Sequence, residues 1–257
     1  MLTEMTLFGV RDKVQTAINR IREFCPPEGY YVAFSGGKDS TVVLDLVKRA
    51  GVKFDAHYNR TTVDPPELVR FIREQYPDVE ERKPEMSMWQ LIRKKRMPPT
   101  RMVRYCCEYL KEGGGAGRTV ITGVRWAEST KRSKRRMVEV CNKKALTSYL
   151  HPIIDWTEED VWEYIRSNNL PYCNLYNKGY KRLGCIGCPL GGYKHMIKEF
   201  SDYPGYYKAY LHAFERMLQA RQEDGLATDK WETAQDVMDW WIYCKKSEDT
   251  DQTILFE

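Results

Sequence analysis

The pattern of hydrophobic and polar positions along the chain predicts helices that alternate with short strands. In KVQTAINRIREF, apolar side chains recur with the spacing of one helical face. The run YYVAFS is apolar and rich in aromatic residues, which favours a buried strand, and VKFDAHY and RTVITG predict two more strands. Strands that alternate with helices are typical of a parallel sheet. We therefore expect an α/β fold with a parallel sheet and helices on both faces.

Local signals predict where several helices begin and end. The helix in STVVLDLVKRAG should stop at Gly51. The helix in DPPELVRFIREQYP should start from Asp64 as its N-cap, with prolines in its first turn. TEEDVWEYIRSNN opens with Thr157 and Asp160 at the spacing of a capping box. These signals add well-defined helix starts to the predicted α/β pattern.

The end of the chain differs from the rest in its pattern. From Tyr193 onward we expect largely helical structure with a break near Gly225. We therefore expect a nucleotide-binding α/β domain over residues 1–192, which also carries a cysteine site, and a helical C-terminal extension over residues 193–257.

Composition places the chain among soluble globular proteins. Of its 257 residues, 42% are hydrophobic and 30% are charged. No apolar run approaches the roughly 18 residues that a membrane span needs, and the N-terminus lacks the apolar core of a signal peptide. We expect a cytoplasmic protein without a membrane partner. In that reducing compartment, its eight cysteines are expected to be ligands, catalysts or buried residues rather than disulfides.

Positive charge is concentrated in one part of the chain. The block from Arg93 to Lys144 holds 16 Lys and Arg against 4 Glu, whereas the remainder carries a balance of −7. Such a block favours an anionic partner, including nucleic acid. The alternative is an ordinary solvated charged face.

A glycine pair marks the best candidate for a phosphate-binding loop. In YVAFSGGKDSTVVL, Gly36 and Gly37 lie between a predicted strand and a predicted helix. Glycines let the backbone approach a ligand, and the N–H groups at a helix start attract anions. The loop is neither a Walker A loop nor a dinucleotide-binding G-x-G-x-x-G loop. An ordinary turn with a serine cap is the alternative.

The motifs together resemble a known family. Residues Ser35 to Ser40 resemble the PP-loop, S-G-G-x-D-S, of the N-type ATP pyrophosphatases. ITGVRWAESTKRSKR is similar to the G-x-R-x-x-x-S-x-x-R segment of the phosphoadenosine phosphosulfate (PAPS) reductase family. HPIIDWTEEDVWEYIRSNNLPY resembles the P-x-x-D-W segment that follows in that family. The resemblance covers about residues 28 to 190 and implies a PP-loop fold that binds an adenylate.

The resemblance also implies roles for individual residues. The expected binding residues for the nucleotide are Ser35, Gly36, Gly37, Lys38, Asp39, Ser40, Thr62, Gly123, Arg125 and Arg132. Among these, Lys38, Asp39, Arg125 and Arg132 are the candidate catalytic residues. Arginine suits this work because its planar fork matches the geometry of an oxyanion. Thr62 lies where the family usually has an Asp-Thr-Gly stretch, which this sequence does not keep.

Four cysteines form a candidate metal site. Cys106 and Cys107 are adjacent, and Cys185 and Cys188 form a C-x-x-C 78 residues after Cys107. This pattern resembles that of adenosine phosphosulfate (APS) reductases and DNA phosphorothioation enzymes, which hold a [4Fe–4S] cluster. Zinc or no metal at all are the alternatives. Neighbouring helical residues point about 100° apart, and such divergence suits a bulky cluster better than one zinc ion.

Three functions are compatible with these motifs. In the first, the chain is an ATP pyrophosphatase that uses Mg²⁺, with Asp39 as a helper, and adenylates a nucleic acid or metabolite for sulfur transfer from a donor. The alternative is an APS or PAPS reductase that forms sulfite with a thioredoxin-like partner. Its usual Glu-Cys-Gly-Leu-His motif is absent, and Cys244 is the late cysteine that remains. The third is a non-catalytic adenylate-binding subunit. We also expect a homo-oligomer.

Overall fold

The chain forms two compact units. A computed structural model describes residues 2–7, 9–141, 147–227 and 231–243. The first unit comprises Met1–Arg60, Asp64–Pro84 and Leu110–Gly184, and the second comprises Thr61–Val63, Glu85–Tyr109 and Cys185–Glu257. Both units are therefore discontinuous in sequence. The sequence predicts a single boundary after residue 192, with one domain on each side of it. That division into domains stays a prediction.

Strands of the first unit build one six-stranded sheet and one small hairpin. The strands are β1 Thr3–Thr6, β2 Gly9–Asp12, β3 Tyr30–Ala33, β4 Phe54–Asn59, β5 Glu80–Arg82, β6 Thr119–Ile121, β7 Val138–Cys141 and β8 Thr147–Leu150. The sheet has the order β5-β4-β3-β6-β8-β7, and all its neighbours are parallel except β7 and β8. Strands β1 and β2 pair with each other as an antiparallel hairpin. The central position of β3 places the loop that follows it at the middle of one sheet edge.

Helices flank this sheet and fill the second unit. They are α1 Lys13–Glu23, α2 Lys38–Ala50, α3 Pro66–Gln75, α4 Met88–Lys95, α5 Tyr105–Leu110, α6 Glu158–Ser167, α7 Tyr193–Asp202, α8 Pro204–Glu223 and α9 Ala234–Tyr243. In the first unit, α2 packs against both α1 and α6. The expected α/β fold, with a mostly parallel sheet, flanking helices and C-terminal helices, is confirmed.

Most of the predicted helix signals hold. Gly51 adopts a left-handed conformation with φ 68° at the end of α2. Thr157 and Asp160 form the predicted capping box at the start of α6. The predicted N-cap of α3 is wrong, because Pro65 takes that position and Asp64 is buried before it. Two consecutive prolines extend the chain before the helix, which moves its start one residue beyond the polar side chain.

Aromatic side chains form the core of the second unit. Tyr210 of α8 is buried, and its ring lies 4.8 Å from that of Trp89 on α4 and 4.7 Å from that of Trp241 on α9. Helix α8 packs against both α4 and α9. Phe200 of α7 reaches the same rings. Trp241 is therefore a packing residue of this core.

None of the helices in the described ranges combines the length and the apolar character that a bilayer crossing requires.

His151 gives the fold a specific pH dependence. Its side chain is 1% exposed, and its Nδ1 lies 2.7 Å from the Thr122 hydroxyl. Burial, followed by the positive charge of Arg135, lowers its pKa to about 4. Since the ordinary value is about 6.5, the unfolded chain binds this proton more readily, and the free energy of unfolding falls as the pH drops from 6.5 towards 4.

We predict that His151→Asn, which keeps an acceptor for Thr122, flattens this dependence. Between pH 7 and pH 5 the wild-type protein should lose about 2 kcal/mol of stability more than the variant. Urea unfolding of both proteins at the two pH values measures this difference. Equal losses in the two proteins would contradict the assignment.

Candidate functional site

The candidate phosphate-binding loop, from Ser35 to Ser40, has a shape that only glycine permits at its first turn. Gly36 follows β3 and adopts φ 69°. A Cβ atom added there would lie 2.7 Å from the Ile72 side chain and 2.8 Å from that of Leu68, both on α3. The left-handed conformation and the close packing therefore both require the missing side chain.

Two serine hydroxyls hold the loop against the first turn of α2. The Ser40 hydroxyl donates to the Gly37 carbonyl over 2.8 Å and accepts from the Ser35 N–H over 3.2 Å. The two serine hydroxyls are 3.1 Å apart. Gly37 is the N-cap of α2 and offers no side chain to its first N–H groups. The positive end of the helix is therefore presented by the loop itself.

Lys38 and Tyr176 lie together at the start of α2. The Lys38 N–H donates to the Tyr176 hydroxyl over 2.9 Å, and the Lys38 ammonium lies 5.5 Å from the centre of the Tyr176 ring. That ammonium is 3.5 Å from a carboxylate oxygen of Asp39 and 3.4 Å from one of Glu158. Burial raises the pKa of Tyr176, so the phenol stays neutral. A cation is thus fixed beside the loop.

Arg125 is a buried cation that joins three segments. Its side chain is 2% exposed. Nε donates to Asp39 over 2.6 Å, and Nη2 donates to Glu158 over 2.9 Å. Nη1 donates to the Trp156 carbonyl over 3.4 Å. Burial opposes the charge of Arg125, but the carboxylates outweigh it and raise the pKa of the guanidinium. Arg125 is therefore fully charged and its three nitrogen atoms are all engaged.

The pKa of Glu158 is lowered by the same ion pairs. Burial alone raises the pKa of Glu158, but the charge of Lys38 and the hydrogen bond from Arg125 lower it by more, so the net shift is downward. The carboxylate is consequently ionised at neutral pH. The two cations and two carboxylates form one paired group at the carboxyl edge of the sheet.

Gly123 allows this group to assemble. A Cβ atom on Gly123 would lie 2.9 Å from the backbone of Asp39. The segment after β6 therefore approaches the first turn of α2 more closely than a side chain would permit. Arg132 lies further along the same segment, is partly exposed and pairs with Glu128. Glu128 also accepts the Arg125 N–H over 2.9 Å, so it links the two arginines.

Two residues at this site were not expected from the sequence. Glu158 belongs to the predicted capping-box helix, where the spacing of Thr157 and Asp160 indicated only a helix start. Tyr176 carried no assigned role. Both contact the loop although each lies more than 100 residues from it in sequence. The periodic pattern of apolar residues does not reveal contacts at that separation.

Thr62 was expected at the nucleotide and lies in the second unit. It adopts φ 67°, and its hydroxyl accepts the N–H of Met88 at the start of α4 over 3.0 Å. Its expected contact with a base or ribose stays a prediction.

The four candidate cysteines all belong to the second unit. Cys106 and Cys107 lie in the first turn of α5, and Cys107 accepts a hydrogen bond from the Arg104 guanidinium over 3.3 Å. Cys185 and Cys188 flank a short loop, and the Cys185 sulfur lies 3.4 Å from the Thr61 hydroxyl. None of the described cysteines forms a disulfide. Cys244 lies outside the described residues.

Electrostatics relate the four thiols to one another. The pKa of Cys106 is raised, first by its hydrogen bond with Cys107, then by burial, and then by the charges of Cys107, Cys185 and Cys188. Cys106 is thus close enough to the other three thiols for their charges to oppose its ionisation. Within the ranges that the structure describes, however, no group of three or more His, Cys, Asp or Glu side chains converges as a metal site. Four thiols are a donor set that fits a [4Fe–4S] cluster or zinc in its chemistry.

Comparisons with known proteins relate the chain to sulfonucleotide enzymes. A family model described as the phosphoadenosine phosphosulfate reductase domain matches residues 29–190. The adenosine 5′-phosphosulfate reductase of Oceanobacillus iheyensis is 30% identical over 176 residues and is matched over 69% of its length, with 61% of this chain covered. Adenosine 5′-phosphosulfate reductase 2 of Bacillus subtilis is 32% identical over 178 residues, covering 71% of its length and 62% of this chain.

A solved structure shares the fold. The phosphoadenylyl-sulfate reductase of Candida auris, determined as a phosphate complex, aligns with a TM-score of 0.52 at 19% identity. The alignment covers 67% of this chain and 89% of that chain. At this level of identity the likeness concerns the fold alone.

We predict a large difference between two arginine variants that tests the paired group. Arg125→Met leaves Asp39 and Glu158 without their buried cation and should lower the free energy of unfolding by about 2–3 kcal/mol, since Glu158 is half exposed and partly screened. The matched variant Arg132→Met breaks a surface pair and should cost about 0–1 kcal/mol. Urea unfolding followed by tryptophan fluorescence measures both. Equal losses would contradict the role of Arg125.

Proposed function

The chain belongs to the phosphoadenosine phosphosulfate reductase domain family, and we propose that it binds an adenosine sulfonucleotide and reduces the sulfate group to sulfite. Two relatives named adenosine 5′-phosphosulfate reductase support this substrate class. The observation that carries the proposal is the loop from Ser35 to Ser40, whose glycines, hydroxyls and lysine meet at the start of α2.

The chemistry of the loop favours an anion. The N–H groups at the start of α2 carry the positive end of the helix dipole. Lys38 adds a cation that is nearly buried, and its interaction with an anion is therefore only weakly screened. We propose that Ser35, Gly36, Gly37 and Ser40 bind phosphate or sulfate oxygens while Lys38 balances their charge.

The two arginines take different parts in this proposal. Arg125 donates from all three nitrogen atoms to protein oxygens, so it acts as a positioning residue that holds Asp39 beside the loop. Arg132 pairs with Glu128 on a partly exposed turn, and such pairs are weak. Arg132 is therefore the guanidinium that can exchange its partner for a nucleotide oxyanion.

The ion pairs of Asp39 favour a sulfonucleotide over a magnesium–ATP complex. Mg²⁺ binds carboxylate oxygens at triphosphate sites. The Asp39 carboxylate instead lies 2.6 Å from Arg125 and 3.5 Å from Lys38. We propose that the loop N–H groups together with Lys38 balance the anionic end of a sulfonucleotide without a metal bridge.

The proposed reaction proceeds through a cysteine. A thiolate attacks the sulfur atom of the sulfonucleotide, the bond between that sulfur and the phosphate oxygen breaks, and the nucleotide leaves with the electron pair. A dithiol protein of the thioredoxin type then attacks the cysteine sulfur, and sulfite leaves with the electrons of the sulfur–sulfur bond. The second thiol restores the cysteine, and the partner becomes a disulfide. Cys244 is the candidate nucleophile.

We propose that Cys106, Cys107, Cys185 and Cys188 hold a [4Fe–4S] cluster, with zinc as the less favoured occupant. The support is the set of four thiols in the second unit, three of which raise the pKa of the fourth, Cys106. Such thiols become stable thiolates when a metal cation binds them. When bound, such a cluster would supply redox capacity to the second unit.

An ATP pyrophosphatase is the second candidate function, and two observations favour it. The sequence lacks the Glu-Cys-Gly-Leu-His motif that carries the reductase nucleophile. The turn after Arg125 exposes Lys131, Lys134 and Arg136, and such a turn suits the phosphates of a nucleic-acid acceptor. Pyrophosphate release from ATP with Mg²⁺ is the signature of this function. A protein that binds nucleotide without either reaction would be the non-catalytic subunit.

We predict that the protein binds APS more tightly than ATP with Mg²⁺. Calorimetry on the full chain measures both affinities. Lys38→Met should weaken APS binding by about ten- to a hundredfold, because a charged hydrogen bond is lost. The matched variant Lys178→Met removes an exposed lysine that pairs with Glu67 and should leave the affinity unchanged. Absence of APS binding at millimolar concentration would refute the phosphate-loop assignment.

We predict that the protein purified without oxygen is brown and contains iron and sulfide. Cys185→Ser should abolish the visible absorption, because serine oxygen is a poor ligand for iron in such a cluster. Cys25→Ser, which changes a cysteine of the first unit, should keep it. Absorption spectra with iron, sulfide and zinc analysis provide the measurement. A colourless wild-type protein that contains stoichiometric zinc would show that zinc, and not an iron–sulfur cluster, occupies the site.

A further inference from the structure

A buried carboxylate lies directly behind the C-x-x-C loop. Glu199 of α7 is 2% exposed, and one of its oxygens accepts the N–H of Gly187 over 2.8 Å. Gly187 is the residue immediately before Cys188. The other carboxylate oxygen lies 3.1 Å from Nε2 of His195, one turn earlier on the same helix. Glu199 lies beyond residues 29–190, the part of the chain that the family model matches.

The rest of the loop is held in a comparable way. The Ile186 N–H donates to the Val63 carbonyl over 2.8 Å, and the Tyr210 hydroxyl donates to the Ile186 carbonyl over 3.0 Å. Three successive backbone polar groups between the cysteines therefore have fixed partners within the second unit. A loop with this pattern has little freedom to rotate its peptide groups.

Packing makes the position of Gly187 equally specific. Gly187 adopts φ 73°, and a Cβ atom there would lie 2.8 Å from the ring of Phe200 and 3.1 Å from those of Trp241 and Tyr210. The aromatic core thus presses against one side of the loop. The Glu199 carboxylate fixes the N–H of Gly187, so packing and hydrogen bonding together set the direction of the peptide group between Ile186 and Gly187.

We propose that Glu199 is a positioning residue for the thiolate pair Cys185 and Cys188. By holding the Gly187 peptide, it presents both sulfurs in the orientation in which one metal group can bind them. Partners behind the ligands of a metal site commonly contribute much of the metal affinity in this way. The inference rests on the metal site of the proposed function but not on its nucleotide chemistry.

Two substitutions of Glu199 separate hydrogen bonding from charge. Glu199→Gln keeps an oxygen acceptor for the Gly187 N–H, whereas Glu199→Leu removes the acceptor and keeps most of the volume. Asp202→Leu on the same helix is the matched control, since Asp202 is exposed and pairs with Lys198. The full chain is purified anaerobically in each case, and a cooperative melting transition establishes that the variant is folded.

Metal retention is the first readout. After addition of an excess of chelator, bound iron and zinc are followed with time. We expect the leucine variant to lose metal about tenfold faster or more, with the glutamine variant and the Asp202→Leu control close to wild type. Equal rates for the leucine variant and wild type would overturn the proposal.

The reactivity of the thiols is the second readout and needs no bound metal. In chelator-treated protein, alkylation of Cys185 and Cys188 is followed by mass spectrometry. The leucine variant should react faster at these two cysteines and unchanged at Cys25, and uniform rates in all variants would overturn the proposal. If the leucine variant does not fold, Glu199→Asp, which withdraws the carboxylate by one methylene, takes its place. None of the Glu199 variants should change the affinity for APS. If the wild-type protein does not bind APS, that result refutes the proposed function but not the inference about Glu199.

Discussion

The first unit depends on the ion pairs that the buried guanidinium of Arg125 forms. A buried charge is stable only when it is paired, and Arg125 finds its partners in Asp39 of α2 and Glu158 of α6. These pairs join the segment after β6 to the starts of two helices that are distant in sequence. The candidate phosphate-binding loop leads into the first turn of α2, where Asp39 lies. The position of the loop therefore depends on the same ion pairs.

The second unit contains four thiols whose ionised forms carry like charges. Cys107, Cys185 and Cys188 raise the pKa of Cys106, and a bound cation would relieve that repulsion. The backbone at Gly187 is held by the Glu199 carboxylate and by the aromatic core. The chain therefore carries the candidate phosphate-binding loop in one unit and the four candidate cysteines in the other.

Local patterns predicted the elements of the fold that carry local signals. The Gly36–Gly37 loop, the stop at Gly51 and the capping box at Thr157 all depend on residues close in sequence, and all three are found where expected. Strand β5 is three polar residues and has no apolar pattern to reveal it. The roles of Glu158 and Tyr176 arise from contacts across the fold, which a single sequence does not encode in any periodic form. The resemblance to a family identified the loop, Gly123 and Arg125, but not Glu158 and Tyr176.

Sulfite formation is the most direct test of the central claim, that the loop serves sulfonucleotide reduction. Anaerobically purified protein is incubated with APS and a thioredoxin-type dithiol, and sulfite is measured, in parallel with pyrophosphate in a second reaction that contains ATP and Mg²⁺. The account predicts sulfite in proportion to AMP in the first reaction and no pyrophosphate above background in the second. Pyrophosphate release without any sulfite formation would contradict it.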